Sequence, residues 1–342
     1  IYEAGPNNNV DIWDLKGENG LGTEFYVPMQ NLWPQGKYNP NPYTSFDIVA
    51  TEDNTNILIF PSSELDLPNG GNGAGGGEPA FQSFTITLDA GETYSAAVTD
   101  RNNPENNPSG SIILSDKPIA VSIKDDSISP PSQGCREAVG DQIVPVDIVG
   151  NEYIVNKGGL NNGSGEYAYV IATANNTQIS VDGVFETTLF NAETYPIQIT
   201  NDLTYISGTE DFYLIHVSGF GCESGMAQLP PLNCAGSEQV SFVRSTTESF
   251  FINLLVPAGA EDAFELNGGA LTIDPADFDP VPGTAGAWVG AQIQFSTAEI
   301  PTGQANLITN SEEVFSLGLI NGGASSGCRF GYFSEFASEI IV

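Results

Sequence analysis

Residues 218–245, SGFGCESGMAQLPPLNCAGSEQVSFVRS, determine how the rest of the chain is interpreted. The stretch begins where an apolar run, 213–215, enters a glycine-containing turn, and it ends in a new β-rich run, 239–243. Between these runs a rigid Pro-Pro turn separates Cys222 from Cys234. This pattern predicts a corner between two β units that is stapled by a disulfide.

Degraded copies of this corner lie on both sides of it. A Gly-Cys pair recurs at Cys135 and at Cys328, and each pair leads through a short linker to another β-rich run. The segments between the corners also match one another. The matching stretches are FDIVATEDNTNILIF (46–60) with AYVIATANNTQISV (168–181) and, more weakly, FFINLLVPAGAEDAFEL (250–266); DAGETYSAAVTD (89–100) with NAETYPIQITND (191–202); and IILSDKPIAVSIK (112–124) with YISGTEDFYLIHV (205–217) and LITNSEEVFSLGLI (307–320).

Repetition at about 90 to 120 residues per unit predicts homologous domains, not a solenoid of short repeats. We therefore predict an all-β fold of three related β-sandwich-like modules in tandem, compactly packed. The predicted boundaries are an N-terminal extension at 1–21 and modules at 22–149, 150–235 and 236–342. The last module ends in a strand that either closes its own sandwich or exchanges with another copy of the chain.

Composition supports this fold class and limits the partners. The chain has 38 Gly and 22 Pro, which favours short strands joined by turns over long helices. Nine Lys+Arg against 43 Asp+Glu give a net charge of −34, so nucleic acids and anionic membranes would be repelled. No apolar run approaches the roughly 20 residues of a membrane helix. The chain starts at Ile1 without a signal-like segment, which is typical of a processed product.

The four cysteines allow three pairings. Cys222 and Cys234 are close in sequence and flank a turn, so we predict that they form a disulfide. Cys135 and Cys328 would then either bridge the first and third modules or stay free. A zinc site is disfavoured because the chain has one His and no CxxC. Disulfides together with scarce lysine indicate an oxidising, extracellular setting.

No motif predicts catalysis. His216 lies inside a β-rich run and is interpreted as structural, and Ser224 lacks the G-x-S-x-G spacing of a nucleophile. Carboxylates are abundant but show no spacing diagnostic of a glycosidase. We predict a non-enzymatic protein, and a polysaccharide-degrading enzyme remains the less favoured alternative.

The surplus carboxylates make Ca²⁺ a candidate cofactor, since turns that cluster oxygen donors can hold it. The candidate ligands are Asp100, Asn102 and Glu105; Asp125 and Asp126; and Asp274, Asp277 and Asp279. None has EF-hand spacing, and solvated turns are the alternative interpretation. The loops at 33–43, 68–79 and 274–288 are long and either aromatic or Gly-rich, so they are predicted contact surfaces. The predicted interaction residues are Trp33, Tyr38, Tyr43, Trp288 and, in the terminal strand, Phe336 and Ile340.

Three groups of residues resemble a known family. They are Gly22-Thr23-Glu24-Phe25 followed by Gln30-Asn31, then Asp141-Gln142-Ile143-Val144-Pro145, and above all residues 218–245 with their continuation 250–268. They resemble the IgGFc-binding N-terminal domain family, in the Bacteroidetes type that occurs in large secreted gliding-motility and type IX secretion-associated surface proteins. The resemblance covers nearly the whole chain from about Gly22 onward. Near Cys135 the chain departs from the animal members, which have a second cysteine there.

The resemblance implies a secreted surface protein, and it adds candidate modification sites. Asp126-Ser127-Ile128 is similar to the short O-glycosylation motif of Bacteroidetes, which makes Ser127 a candidate glycan site. Asn162 and Asn175 open Asn-x-Ser/Thr sequons. At each position a plain turn is the alternative.

We therefore predict a non-enzymatic extracellular structural or adhesive protein of a bacterial cell surface. It would act as a monomeric adhesin head or as the subunit of a filament or sheath. The alternative is a glycan- or mucin-binding module of a larger adhesin. The predicted partners are further copies of the chain or surface glycans, with no nucleic acid and no membrane insertion.

Overall fold

The computed structural model describes residues 2–4, 10–36, 42–65, 77–98, 103–104, 106–130, 135–161, 163–233, 235–324, 326–334 and 336. In these ranges the regular structure is β-strand, apart from two short 3-10 helices at Gly17–Gly20 and Pro275–Asp277. The predicted all-β fold is confirmed. The strands are β1 (Tyr2–Ala4), β2 (Asp11–Trp13), β3 (Leu21–Tyr26), β4 (Thr44–Ala50), β5 (Thr55–Phe60), β6 (Phe84–Leu88), β7 (Thr93–Val98), β8 (Ile112–Ile128), β9 (Glu137–Ile143), β10 (Gly150–Asn156), β11 (Gly159–Leu160), β12 (Glu166–Ala172), β13 (Thr177–Val181), β14 (Val184–Leu189), β15 (Thr194–Ile199), β16 (Leu203–Gly221), β17 (Glu223–Gln228), β18 (Gln239–Val243), β19 (Ser249–Pro257), β20 (Phe264–Leu266), β21 (Asp279–Pro280), β22 (Trp288–Gln294), β23 (Ala305–Asn310), β24 (Ser316–Gly322) and β25 (Cys328–Tyr332).

One long strand organises the first module. The 17-residue β8 pairs through its first half with β3 and β5, and β6 lies beyond β5. Through its second half β8 pairs with β4 and β9, and β7 lies beyond β4. Strands alternate their side chains between two faces, so Ile57 and Ile59 of β5 are buried while Phe60 is exposed. The inward faces of both groups of strands share one core around Phe25, Phe46 and these isoleucines.

The other two modules repeat this strand order. In the second module the 19-residue β16 pairs first with β10 and β13, and then with β12 and β17. In the third module the equivalent strand is divided. Its first part, β23, pairs with β18 and β20, and its second part, β24, pairs with β19 and β25. A turn replaces the continuous strand because the Asn310 Oδ1 accepts the backbone N–H groups of Glu312 and Glu313, at 3.0 and 3.1 Å.

A repeated carboxylate turn confirms the sequence match between DAGETY and NAETY. In each copy a Glu Oε2 accepts the backbone N–H of the residue three positions earlier, at 2.8 Å. The pairs are Asp89 with Glu92, Phe190 with Glu193 and Ser296 with Glu299. The third copy, in STAEIP, is a correspondence that the sequence comparison missed, because only the Glu and the turn geometry survive there.

The last strands of the three modules meet at one place, which we name the hub. Strand β17 contacts both β9 and β25, and β2 of the N-terminal extension contacts all three. The Asp11 carboxylate in β2 accepts one backbone N–H from each last strand: Gly140 at 3.4 Å, Met226 at 2.9 Å and Phe330 at 3.2 Å. A single buried carboxylate therefore ties the three modules together.

The modules are packed compactly, as predicted. The core of the first module continues into the second through buried residues such as Tyr169 and Tyr213. The core of the second module continues into the third through Ile320, Phe330 and Tyr332. These shared cores fix the modules against each other over apolar surface, which is the dominant favourable term in folding.

Candidate binding cleft

A cleft opens between the first two modules and has a volume of about 490 Å³. That size falls within the range of small-ligand sites. Its first wall is formed by the end of β5, the turn before β6 and the start of β8, and its second wall by the turn between β14 and β15. The lining residues are Phe60, Pro61, Ser62, Phe81, Gly110, Ile112, Phe190, Asn191, Ala192 and Glu193.

Three phenylalanine side chains of the cleft are open to solvent. Phe81 is 85% exposed, Phe190 69% and Phe60 40%. Phenylalanine is among the residue types most often fully buried, and burying one stabilises a protein by about 1.5–3 kcal/mol. A cluster of exposed rings leaves that stabilisation unused and is typical of an interaction surface.

The backbone at Phe81 adds evidence that this ring has a role. Phe81 has φ = 62°, in the left-handed region that bulky residues rarely adopt. Its backbone N–H donates to the carbonyl oxygen of Pro61 at 2.8 Å, which holds the turn against the end of β5. A strained conformation of this kind costs about 1–3 kcal/mol and clusters at functional sites.

Close packing of the two modules makes the floor of the cleft rigid. Gly110 has φ = 81°, and a Cβ there would lie 2.2 Å from the carbonyl oxygen of Ala192 in the second module. Beside it, the hydroxyl oxygens of Ser109 and Thr194 are 2.7 Å apart across the module boundary. The cleft is therefore formed before any ligand arrives, which lowers the entropic cost of binding.

A smaller polar pocket of about 190 Å³ continues from the cleft. Its lining residues are Asn31, Ser62, Ser63, Asn107, Ser109, Ala192 and Thr194, of which Ser62 and Ala192 also line the cleft. Within the described part of the chain, the buried Oδ1 of Asn31 has no hydrogen-bond partner. A buried acceptor without a partner is costly. The Oδ1 is enclosed in this conformation, so a ligand donor would reach it after rotation of the Asn31 side chain.

The cleft carries little charge. Glu193 is the charged residue among those that line it, and its Oε2 accepts the Phe190 N–H at 2.8 Å. Burial raises the pKa of the neighbouring Tyr26, whose hydroxyl donates to the carbonyl oxygen of Thr173 at 3.4 Å. Rings, amides and hydroxyls in a chain of net charge −34 suit a neutral ligand better than an anion.

The hub contains a buried carboxyl pair. Glu137 and Glu223 are 2% and 5% exposed, and a hydrogen bond between them requires a shared proton. Burial and the neighbouring Glu223 raise the pKa of Glu137 to about 10. Glycosidase carboxyl groups stand about 5–9.5 Å apart and flank an accessible sugar, whereas this pair is in direct contact and enclosed. The pair therefore gives no support to the hydrolase alternative.

The predicted Cys222–Cys234 disulfide is wrong, and so is the Cys135–Cys328 bridge, which was one of the two alternatives for the remaining cysteines. Cys222 pairs with Cys135, 87 residues away, with 5.8 Å between the Cα atoms. Cys328 is buried and has no disulfide partner among the described residues, and Cys234 lies outside them. The physical reason is that the Gly-Cys corners lie at or just before the start of the last strand of each module, and these strands converge at the hub. The recurrence of the corners was the signal that could have identified the pair.

The metal candidates are not brought together. Asp274, Asp277 and Asp279 are exposed, and Asp274 caps the 3-10 helix by accepting the Ala276 N–H at 3.0 Å. Among the described residues, one group has three potential ligand atoms within 4.8 Å of one another, those of Cys135, Cys222 and Glu223. The two sulfur atoms of this group form the disulfide. Asp100, Asn102 and Glu105 lie outside the described residues.

Asp125 and Asp126 serve the local structure. Asp125 is buried and accepts hydrogen bonds from Gln35 and Thr44, each at 2.9 Å. Asp126 pairs with Lys124 at 3.2 Å. Calcium therefore stays a prediction from sequence, because the described carboxylates have protein partners or stand apart.

The glycosylation candidates differ in accessibility. Ser127 is fully buried in β8, so the prediction of a glycan there is wrong for the folded chain. Asn175 is exposed in the turn before β13 and stays a prediction. Asn162 lies outside the described residues.

The predicted aromatic contact residues mostly fill the interior. Trp33 and Phe336 are each 2% exposed, so the prediction that they contact a partner is wrong. Trp33 packs edge-on against Tyr167, with 6.1 Å between the ring centroids. A sequence rich in Pro and Asn predicts a surface loop, but it does not show whether an aromatic ring points inward.

The remaining aromatic candidates are half-buried or not described. The Lys124 Nζ lies 4.3 Å from the ring centroid of Tyr43, and Trp288 packs against the small core of Ile154, Leu203 and Leu255. Tyr38 and Ile340 lie outside the described residues.

His216 is structural, as its position in a β-rich run predicts. It is fully buried, its Nε2 lies 2.8 Å from Glu166, and its ring packs edge-on against Phe330. Ser224 is also fully buried, which removes it as a nucleophile.

Comparison with known proteins places the chain in a family. A family model described as IgGFc binding protein matches residues 15–320. The chain belongs to this IgGFc_binding family. The family is one of non-enzymatic binding domains, and together with the disulfide it indicates an extracellular or surface protein. Sequence analysis predicted this family from the resemblance of residues 218–245.

Other comparisons add little. No curated protein matches the chain by sequence. Among solved structures, one from work on host cell surface retention of a 1.5-MDa bacterial ice-binding adhesin covers 85% of this chain and 90% of its own, at 8% identity and a TM-score of 0.11. That score is too low to support an argument. None of the helices in the described part of the chain has the length and apolar character that a bilayer crossing requires.

Proposed function

We propose that the chain is a non-enzymatic extracellular adhesive protein that binds neutral surface glycans in the cleft between its first two modules. The observation that carries this proposal is the juxtaposition of exposed Phe60, Phe81 and Phe190 with a polar pocket that holds an unpartnered acceptor. Membership in a family of binding domains supports binding as the activity. Placement on a bacterial surface rests on the resemblance of residues 218–245 to Bacteroidetes-type members.

The cleft offers both kinds of contact that a sugar needs. The C–H faces of a pyranose are apolar and can pack on the rings of Phe81 and Phe190, which are 85% and 69% exposed. Its hydroxyl groups can both donate and accept, and Asn31 and Ser62 supply a complementary amide and hydroxyl group. The net charge of −34 argues against sulfated or sialylated chains, since like charges repel.

Screening on a glycan array tests the proposal. Wild-type protein should bind a subset of neutral glycans, and the Phe81→Ala/Phe190→Ala double variant should bind them at least about tenfold more weakly, because two rings at about 1 kcal/mol each are lost. The matched control is Val184→Ala/Phe185→Ala, which removes exposed apolar groups of β14 that do not line the cleft. Its binding should be unchanged.

Two results would contradict the proposal. One is equal binding by the cleft variant and the wild type. The other is a wild-type protein that binds no glycan on the array. IgG Fc, the partner in the description of the family, belongs on the same array in intact and deglycosylated forms. Equal binding to both forms would show recognition of protein in place of glycan.

A further inference from the structure

The side chain of Lys16 is buried between two carboxyl groups. Its side chain is 1% exposed, and its Nζ lies 3.1 Å from each carboxyl oxygen of Asp141, whose side chain is 2% exposed. The Asp14 Oδ2 lies 3.5 Å from the same Nζ, and the ring of Phe336 covers it at 4.9 Å. Lysine is almost never fully buried, and a buried ion pair often costs more in desolvation than it gains in attraction. The arrangement therefore needs another explanation.

The geometry places an amine nitrogen next to a carbonyl carbon. A nitrogen that is hydrogen-bonded at 3.1 Å to both oxygens of one carboxyl group lies roughly 3.3–3.5 Å from its carbon, and rotation of the Lys16 side chain would bring it above the carboxyl plane into a near-attack conformer. The Asp141 Oδ1 also accepts the backbone N–H groups of Gln142 at 2.8 Å and Asp14 at 3.2 Å. Two N–H donors on one oxygen form an oxyanion hole, which would stabilise the charge of a tetrahedral intermediate.

The protonation states favour the same chemistry. Burial raises the pKa of Asp141 to about 6, although the Lys16 charge opposes the shift. Burial also raises the pKa of Asp14, and here too the Lys16 charge opposes the shift. Low dielectric disfavours the charged form of a carboxyl group, so the neutral acid, which is the form that an amine attacks, is more accessible at Asp141 than in water.

We propose that Lys16 and Asp141 condense to an intramolecular isopeptide bond. The Lys16 Nζ lone pair adds to the Asp141 Cγ, and the negative charge develops on Oδ1 in the oxyanion hole. The Asp14 carboxyl group moves a proton from the nitrogen to Oδ2. The C–Oδ2 bond then breaks, water leaves, and an amide remains. The net change is ammonium plus carboxylate giving amide plus one water, with no oxidant, metal or cofactor.

The bond would act as a covalent lock at the hub. Lys16 precedes the 3-10 helix Gly17–Gly20, and Asp141 lies in β9. The bond joins the segment after β2 to the last strand of the first module, beside the contacts of Asp11. The Cys135–Cys222 disulfide joins the first two modules, and the isopeptide bond would add a link from the N-terminal extension to the first module that reduction cannot open. The proposal does not depend on the function of the cleft.

Mass spectrometry of the full chain, denatured and reduced, tests the proposal. The wild-type mass should fall about 18 Da below the sequence mass, since one water is lost. Trypsin should release residues 1–37, uncut at Lys16, joined to residues 137–157. The Lys16→Arg variant should have its full sequence mass and yield residues 1–16, 17–37 and 137–157 as three separate peptides.

Two further variants check the mechanism. Asp141→Asn should still form the bond but lose ammonia, about 17 Da below its own sequence mass, whereas Asp14→Asn should accumulate the unreacted chain. A wild-type chain at its full sequence mass, or a cross-link that joins other peptides, would overturn the proposal. The wild-type mass decides this even where a variant fails to fold.

Discussion

The cleft and the hub reverse the usual distribution of residues in opposite ways. The cleft exposes three phenylalanine side chains, whereas the hub buries Asp11, Lys16, Glu137, Asp141 and Glu223. An exposed apolar patch and a buried charge are the two observations that general burial trends do not explain. This difference indicates that the two regions have different roles. The hub uses buried polar groups to hold the three modules together, whereas the cleft leaves apolar side chains exposed for a partner.

Removing the disulfide is the largest perturbation of the hub. The Cys135→Ser/Cys222→Ser variant opens a loop that spans 87 residues, and the chain-entropy model gives a loss of about 4.6 kcal/mol. Urea unfolding of both proteins under non-reducing conditions measures it. Glycan binding by the folded variant should persist, because neither cysteine lines the cleft. A loss below about 1 kcal/mol would show that the modules are held together without this bond.

The next largest loss of stability is expected from removal of the Asp11 carboxylate at the hub. Asp11→Ala leaves the N–H groups of Gly140, Met226 and Phe330 without their acceptor. Because the variant no longer buries a carboxyl group, part of this cost is offset, and the free energy of unfolding should fall by about 3 kcal/mol. Asp11→Asn keeps one acceptor oxygen and should lose less. Equal stability of Asp11→Ala and wild type would refute the role of Asp11 at the hub.

The carboxyl pair should make stability depend on pH. The pKa of Glu137 is raised in the folded state to about 10, against about 4.3 when unfolded. The group therefore stabilises the fold fully at low pH, and this contribution is lost as the pH rises from about 5 towards 10. Glu137→Gln keeps a neutral side chain and should flatten the decline in unfolding free energy between pH 5 and 9.

The control for this measurement is Glu265→Gln, on the exposed face of β20. It also replaces one carboxyl group with an amide, but at an exposed position, so it isolates the effect of burial. A wild-type stability that is level between pH 5 and 9, or a Glu265→Gln variant that flattens the curve as much as Glu137→Gln, would contradict the shared proton.

The smallest expected effect concerns the strained turn of the cleft. Phe81→Gly removes a bulky residue from φ = 62°, so stability should stay level or rise by up to about 1 kcal/mol while glycan binding falls. Phe60→Gly, in β5, should instead destabilise the fold by about 1 kcal/mol. Thermal unfolding of the two variants makes the comparison. A Phe81→Gly variant that is clearly destabilised would mean that this ring serves the fold.

The repeated pattern predicted the architecture because each module needs the same strands and turns to close its own core. The corner cysteines and the matched stretches fall at equivalent positions in the three modules. Disulfide pairing could not be predicted from sequence distance, because the hub brings together corners that are 87 residues apart. The role of Asp11 at the hub could not be predicted from the sequence, since a lone Asp in a polar extension resembles any solvated residue.

The cleft could not be predicted from the sequence either. Phe190 directly precedes the recognised turn of 191–193, and Phe81 follows a Gly-rich stretch, but neither pattern shows that both rings face one space. That fact depends on how two modules pack, with Gly110 against Ala192. The aromatic residues that composition favoured, such as Trp33, serve the core because their loops fold back onto it.

The most direct test of the central claim is a crystal structure of the chain with the tightest glycan from the array. The account predicts a sugar ring packed on Phe81 and Phe190, with a hydroxyl group donating to the Asn31 Oδ1. A glycan bound elsewhere on the chain, with this cleft empty, would contradict it.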